Sequence, residues 1–313
     1  MNISSNCTPT ITEGVRTLLT IIYIPTFILG VLGNVTVLVI FVRGRRHWND
    51  MMTYMTNISI ADCFVLISLP FKIYSYYSTW TLPSLCFVFV SSYYVNMYVS
   101  IQTVTAISVV RYIAIKYPFK AQAIMSPWKA LIVCILIWVL NCTVSSQFHL
   151  VDAPENPNKT DDDFRCFQKN TKKPLPLPFI LILEIVGFLL PFSLMTFSSL
   201  QVIRTLSKQK QVGEKTQCIR IITTNLTIFA VCFIPFHLGF LLKYIIETHA
   251  HDSCDLLQGI HNFVHISMCI ANTNCCLDSF CYYFVTKDFW KSALCCSPKE
   301  LLTNKPSGAG SVH

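Results

Sequence analysis

Long apolar runs separated by short polar loops set the pattern of this chain. They cover roughly residues 15–42, 51–77, 86–118, 127–150, 176–206, 215–247 and 255–285. At about 1.5 Å per residue, each is long enough to cross a ~30 Å hydrocarbon layer as an α-helix. The pattern predicts an all-α membrane protein, a bundle of seven transmembrane helices. Seven crossings put the two chain ends on opposite faces. The third run organises the rest. It starts at Cys86, contains neither proline nor glycine before Pro118, and carries no charged side chain before Arg111. A lone arginine at a membrane boundary is costly and therefore a functional candidate; the other reading is a side chain snorkelling to the headgroups.

The domain plan follows from the same runs. Residues 1–14 are a short polar outer tail, 15–285 the seven-span bundle, 286–296 an amphipathic surface helix, and 297–313 a polar, disordered inner tail. In the surface helix Phe289, Trp290 and Leu294 face lipid. No signal peptide is expected at the N-terminus, and the first run serves as an uncleaved anchor. No internal repeat is visible.

Composition agrees with the membrane reading and corrects one impression. Of 313 residues, 53% are hydrophobic and only 13% charged, with mean hydropathy +0.51. A soluble domain carries about twice that charge. The net charge of +8 resembles a nucleic-acid signal. Its placement says otherwise, and no nucleic-acid partner is expected. Most of the basic residues, Arg43, Arg45, Arg46, Arg111, Lys116, Arg204, Lys208, Lys215 and Lys287 among them, sit at one set of loop ends. That asymmetry places those ends inside and the N-terminus outside. The sequons at Asn2, Asn6 and Asn158 fall on the outer side and are the glycosylation candidates; those at Asn34, Asn57, Asn141 and Asn225 lie within apolar runs.

Of 15 cysteines, only Cys7, Cys86, Cys166 and Cys254 lie on the outer side. Four cysteines in an oxidising compartment allow two disulfides in three pairings. The favoured assignment joins Cys86 to Cys166 and Cys7 to Cys254. Cys295 and Cys296, at the inner face after the surface helix, are palmitoylation candidates.

Polar residues inside the runs carry the candidate chemistry. Asp62 lies deep in the second run, where a carboxylate needs partners. Asn34, Asn96, Ser100, Asn274 and Asp278 are the candidates, and Asn96–Ser100 and Asn274–Asp278 each share a helix face. Asp62, Asn96, Ser100, Asn274 and Asp278 could hold a Na⁺ ion through oxygen ligands; a protonated, hydrogen-bonded network without an ion is the other reading. Toward the outside, Lys72, Tyr93, Tyr94, Tyr98, Glu184, His237, Lys243, His261 and His265 line a second polar region. Lys72 is either a partner for an anionic headgroup or a snorkelling side chain. With Met97, Phe148, Phe233 and Met268, this region supplies the candidate ligand contacts. The histidines are read as lacking close metal-ligand spacing, so no zinc site is expected. Pro191 and Pro235 interrupt the fifth and sixth runs, and Pro235 is either a hinge or a fixed kink. No nucleophile–base pair or metal cluster suggests an enzyme.

Taken in order, Gly33-Asn34, Ser59-Ile60-Ala61-Asp62, Cys86, Arg111-Tyr112, Trp138, Pro191, Cys232-Phe233-Ile234-Pro235 and Asp278 with Tyr282 resemble the class A, rhodopsin-like G-protein-coupled receptors over nearly the whole chain. Leu69-Pro70-Phe71-Lys72 and Phe233-Ile234-Pro235-Phe236-His237 are similar to the purinergic and lipid-receptor branch. The run Asn274 to Tyr283 resembles two small receptor groups within it, and Ile24-Pro25-Thr26-Phe27, Gly187 to Pro191 and Ser267-Met268-Cys269 favour the one that responds to lysophosphatidylinositol. The resemblance implies a plasma-membrane receptor without a resident cofactor, apart from Na⁺ as an allosteric ion. It implies an anionic lysophospholipid ligand, a heterotrimeric G protein, with the twelve/thirteen class as the candidate, and arrestin as a further partner. Arg111, Tyr112, Lys215 and Tyr282 would meet the G protein. The alternative is a small carboxylate of the kynurenate type, whose receptors carry an arginine where this chain has Met97.

Four departures from that family stand out. The acid expected before the arginine is Val110, the acid at the base of the sixth helix is Lys215, and the helix 7 proline is Ser279, while Phe233 replaces a tryptophan. The first two remove the anionic partners of Arg111 and predict raised ligand-free signalling. A transporter or channel would call for an inverted repeat and paired broken helices. A retinal pigment would need a lysine between Asp255 and Val285, and there is none.

Overall fold

A computed structural model describes residues 9–43, 48–78, 83–151, 166–167, 175–208, 213–249 and 253–292, with the side chains at 83–84, 147–151, 213–215 and 281–292 outside the description. The described segments are helical. The first four membrane helices are α1 (Glu13–Arg43), α2 (Asp50–Tyr77), α3 (Pro83–Lys116) and α5 (Pro127–Val151), and a short α4 (Pro118–Ile124) connects α3 to α5. The fifth membrane helix is interrupted: α6 (Leu177–Glu184) leads through a π turn (Ile185–Leu189) into α7 (Leu190–Ser207). The sixth and seventh are α8 (Gly213–His249) and α9 (Cys254–Ser292).

Six of these membrane helices, all but α9, are long and apolar enough to span a bilayer. Their lipid-facing positions, such as Ile21, Leu32, Leu136 and Val231, are exposed large apolar residues. The seventh, α9, is more polar and largely buried: His261, His265, Asn272, Asn274, Asp278 and Ser279 all point into the bundle. It packs against α8 and α1, while α3 packs against α2, α5 and α7. The central core is built from α2, α3, α7 and α8, with Ile58, Tyr93, Ile101, Phe229, Phe233 and Phe236 fully enclosed.

Three details differ from the sequence expectation. First, α9 continues without a break to Ser292, past the end of the seventh run at 285. From His261 onward the helix contains no proline or glycine, and with Ser279 at the usual proline position nothing stops it. Second, the turn before Pro191 is a π turn, in which Leu190 N donates to Ile185 O. Pro191 has no N–H to continue the ladder, and a π turn absorbs the extra residue. Third, α4 was not anticipated; Pro118 at its first position presets the helical backbone.

Cys86 and Cys166 form a disulfide that ties the outer end of α3 to the second outer loop. Cys254 is also disulfide-bonded; Cys7 lies outside the described residues. So do Asn2, Asn6, Asn158, Cys295 and Cys296. At the outer end of α9, Gln258 and Asn262 hold the backbone of the N-terminal segment. Thr10 N donates to Gln258 Oε1 (3.1 Å), Gln258 Nε2 to Thr10 O, and Thr12 N to Asn262 Oδ1 (3.3 Å).

Close helix contacts depend on glycines, two of which bear on the site. A Cβ on Gly187 would come within 2.6 Å of Tyr98 Cε1, so the π turn presses directly on α3. A Cβ on Gly33 would come within 2.7 Å of Ser279 Cβ, so α1 touches α9 at the site of the missing proline.

Candidate functional site

The outer site is organised by Lys72, which is completely buried in α2. Its ammonium donates to the Met268 thioether (Nζ–Sδ 2.9 Å), a weak acceptor. It also lies 4.2 Å from the centre of the Tyr93 ring, 5.2 Å from Tyr23 and 5.6 Å from Phe167. Ring faces attract cations, so this cage partly offsets the loss of water. Among the described residues no carboxylate pairs with Lys72. Lys72 therefore points inward and does not snorkel.

Two of the caging rings were missed from sequence. Phe167 directly follows disulfide-bonded Cys166, so its ring is carried to the top of α3 by the bridge. It adopts φ 63°, a left-handed backbone that costs a residue with a Cβ about 1–2 kcal/mol. Its place beside a disulfide cysteine was the signal that could have found it. Tyr23 accepts from Asn272 Nδ2 (3.1 Å), linking α1 to α9; nothing in its local sequence marks it.

The remaining outer candidates divide into groups. Tyr93 and Tyr94 meet edge to face at 5.3 Å, and Met97, Tyr98 and Phe233 belong to the buried core below them. His265 lies within electrostatic reach of His261, Lys72 and Lys243. His261 and His265 sit one helical turn apart with ring centres 4.7 Å apart, so the reading of the histidines as widely spaced is wrong for this pair. His261 Nε2 and His265 Nδ1 are buried without a hydrogen-bond partner. Lys243 lies 3.6 Å from Glu247 on its own helix. Phe148 is on α5, with its side chain outside the described residues.

Glu184 and His237 pair with each other. His237 Nδ1 and Glu184 Oε1 are 3.2 Å apart and both side chains are buried. Phe188, from the π turn, stacks flat on the His237 ring at 4.1 Å, and Tyr98 meets it edge-on at 5.8 Å.

Deeper in the bundle, Ser100 Oγ donates to Asp62 Oδ1 at 3.5 Å, and Asn274 Nδ2 donates to Asp278 Oδ2 at 2.7 Å. Asp62 and Asp278 lie within electrostatic reach of one another. Asn96 turns its amide hydrogens to Ser92, and Asn34 donates to Gly30 O (3.0 Å) and Cys275 O (2.9 Å). Asn34 is therefore a clasp onto the α9 backbone and not a donor to Asp62. Asp62 Oδ2, Asn96 Oδ1, Asn34 Oδ1 and Ser59 Oγ are buried without partners. Orphaned buried oxygens are rare in native proteins.

At the inner end, Arg111 lines a small cavity of about 10 Å³ with Ser108, Ser199, Val202, Ile222 and Asn225, room for one water-sized body. Among the described residues no carboxylate pairs with Arg111. Tyr112 packs edge to face with Tyr117 and Phe197, with Lys116 over its ring at 5.2 Å. Lys215 and Tyr282 lie on α8 and α9, with side chains outside the described residues.

The family described as 7 transmembrane receptor (rhodopsin family) matches residues 33–282. The chain is 35% identical to G-protein coupled receptor 55 of Mus musculus over 295 residues, covering 88% of this chain and 87% of that protein. It is 33% identical to lysophosphatidic acid receptor 6 of Mus musculus over 269 residues, with 83% and 78% covered. It is likewise 33% identical to G-protein coupled receptor 35 of Homo sapiens over 277 residues, with 87% and 85% covered.

Proposed function

The chain belongs to the rhodopsin family of seven-transmembrane receptors, and we propose that it is a plasma-membrane receptor for an anionic lysophospholipid, with lysophosphatidylinositol the favoured ligand. The observation that carries this reading is the buried ammonium of Lys72, with no carboxylate partner among the described residues and with His265 within electrostatic reach of it and of His261 and Lys243. Such a cluster is costly when empty and suits an anionic headgroup. The relative named a lysophosphatidic acid receptor supports the same ligand class.

Binding acts by population shift. A ligand changes the helix arrangement only as far as it favours one arrangement over the other. The headgroup takes Lys72 from Met268, and the acyl chain lies against Tyr94, Met97, Phe148 and Phe233. Phe233 and His237 flank Pro235, so a change in their packing bends α8 at its weakest point. The inner face then opens around Arg111, Tyr112, Lys215 and Tyr282 to admit a heterotrimeric G protein of the twelve/thirteen class. Arrestin uses the same face. The N-terminus is extracellular, with glycans at Asn2, Asn6 and Asn158, a Cys7–Cys254 bridge, and palmitate on Cys295 and Cys296. No catalytic step is involved.

Sodium fits the inner polar set. Asp62 and Asp278 supply charge, Asn96 and Ser100 neutral oxygens, and Asn274 holds Asp278. The unpartnered Asp62 Oδ2 and Asn96 Oδ1 are the oxygens such an ion needs. When bound, Na⁺ supplies a positive charge that lets both carboxylates ionise.

A panel of lysophospholipids, with kynurenate included, tests the function by G-protein dissociation in cells. A lysophosphatidylinositol response that is lost with Lys72→Ala supports the assignment. A response to kynurenate alone, or lysophosphatidylinositol binding unaffected by Lys72→Ala, removes it.

A further inference from the structure

Arg111 carries a full positive charge at the inner end of α3, and the residue before it, Val110, has no charge to offer. The guanidinium is half-buried and has no carboxylate partner among the described residues, so a counter-charge beside it would be stabilising. The cavity beside it is bounded by α3, α7 and α8, and it contains donors but no acid. The Ser108 hydroxyl donates to Val104 O at 3.1 Å and is already committed. The donors that remain are the Arg111 guanidinium, the Ser199 hydroxyl and the Asn225 amide. Val202 and Ile222 form apolar walls that keep the space small. Three donors without an acceptor charge, around room for one small body, define an anion site in miniature.

We propose that this cavity is a chloride site, in which a monatomic anion stands where the neighbouring acid of other family members would stand. A chloride ion is only slightly larger than a water molecule. It would bridge Arg111 on α3, Ser199 on α7 and Asn225 on α8, and so hold these helices in the closed arrangement. Occupancy then suppresses ligand-free signalling, and opening of the inner face releases the ion. The inference rests on the reading of the Arg111 face as the G-protein mouth only for its signalling consequence; the ion binding stands apart from it.

The test uses the full chain in lipid nanodiscs, in sodium chloride or sodium gluconate at equal ionic strength. Two quantities are read: the melting temperature, and ligand-free nucleotide exchange on added heterotrimeric G protein. Chloride is expected to raise the melting temperature by a few degrees, because it binds the folded state alone. It is expected to lower exchange about fivefold, the low end of ordinary coupling between two sites. Asn225→Leu should remove both effects and leave exchange high in either salt. Val110→Asp should remove both and leave exchange low in either salt. If Asn225→Leu does not fold, Ser199→Ala serves in its place. Equal melting in the two salts overturns the proposal and leaves a water in the cavity. A chloride shift that persists in both variants also overturns it, because the ion then binds elsewhere. A shift that depends on these residues without any change in exchange sustains the ion site and overturns the reading of the mouth.

Discussion

His237 of α8 and Glu184 of α6 are joined at 3.2 Å, and each sits beside an irregular point of its own helix. Glu184 immediately precedes the π turn, and His237 follows Pro235 by two residues. One buried contact thus ties the π turn of the fifth membrane helix to the proline-containing turn of the sixth. Removing either partner strands the other in the core, at a cost of about 1–3 kcal/mol. Glu184→Ala and His237→Ala should each lower the melting temperature. The double variant should lose clearly less than the sum of the two, and a strictly additive cycle would show that the pair is not coupled.

Lys72 should behave in the opposite way. Its charge is buried with only a thioether and aromatic faces for company. Lys72→Met keeps much of the side chain and removes the charge. The melting temperature should stay the same or rise, since buried charges often destabilise relative to apolar groups of similar volume. Lysophosphatidylinositol binding should weaken by at least about tenfold, equivalent to about 1.4 kcal/mol. Radioligand competition beside a thermal melt checks both halves.

Gly187 and Gly259 separate packing from helix propensity. At Gly187 a methyl group would meet Tyr98 at 2.6 Å, whereas at Gly259 nothing lies within 4 Å. Gly187→Ala should therefore destabilise by about 1–3 kcal/mol. Gly259→Ala, in an open helical position, should be neutral or stabilise by up to about 1 kcal/mol. Thermal melts of the two variants in one detergent give the comparison.

Val110→Asp restores a carboxylate next to Arg111. Ligand-free G-protein activation should fall, with the difference largest in gluconate. Measured basal exchange equal to that of the parent would sink the idea that a missing acid leaves the inner face loosely held.

The helices were legible because lipid imposes a simple rule, and runs such as 86–118 obey it without interruption. Depth along each helix was legible too: it placed Asp62 low in the bundle and Lys72 high. What the spacing did not contain was rotation and partner choice. Asn34 lies near the depth of Asp62, yet it turns its amide to Cys275 O. Glu184 and His237 were both read as ligand contacts, but their mutual pairing depends on the register added by the π turn. Tyr23 and Phe167 reach Lys72 from α1 and the second outer loop, a convergence that no one-dimensional pattern records. The seventh helix extends beyond the apolar run, to Ser292, because a helix can continue through polar residues such as Lys287 and Asp288 where no proline or glycine intervenes.

The meeting of Gly33 with Ser279 has a mechanical outcome. The seventh membrane helix runs past Ser279 as an unbroken rod lying flush against the first helix, with bare backbone on one side and a hydroxymethyl group on the other. The inner half of that rod has no joint of its own and no slack toward its neighbour. A sideways shift of that helix at Ser279 would press on the backbone of the first, so the two are expected to move together.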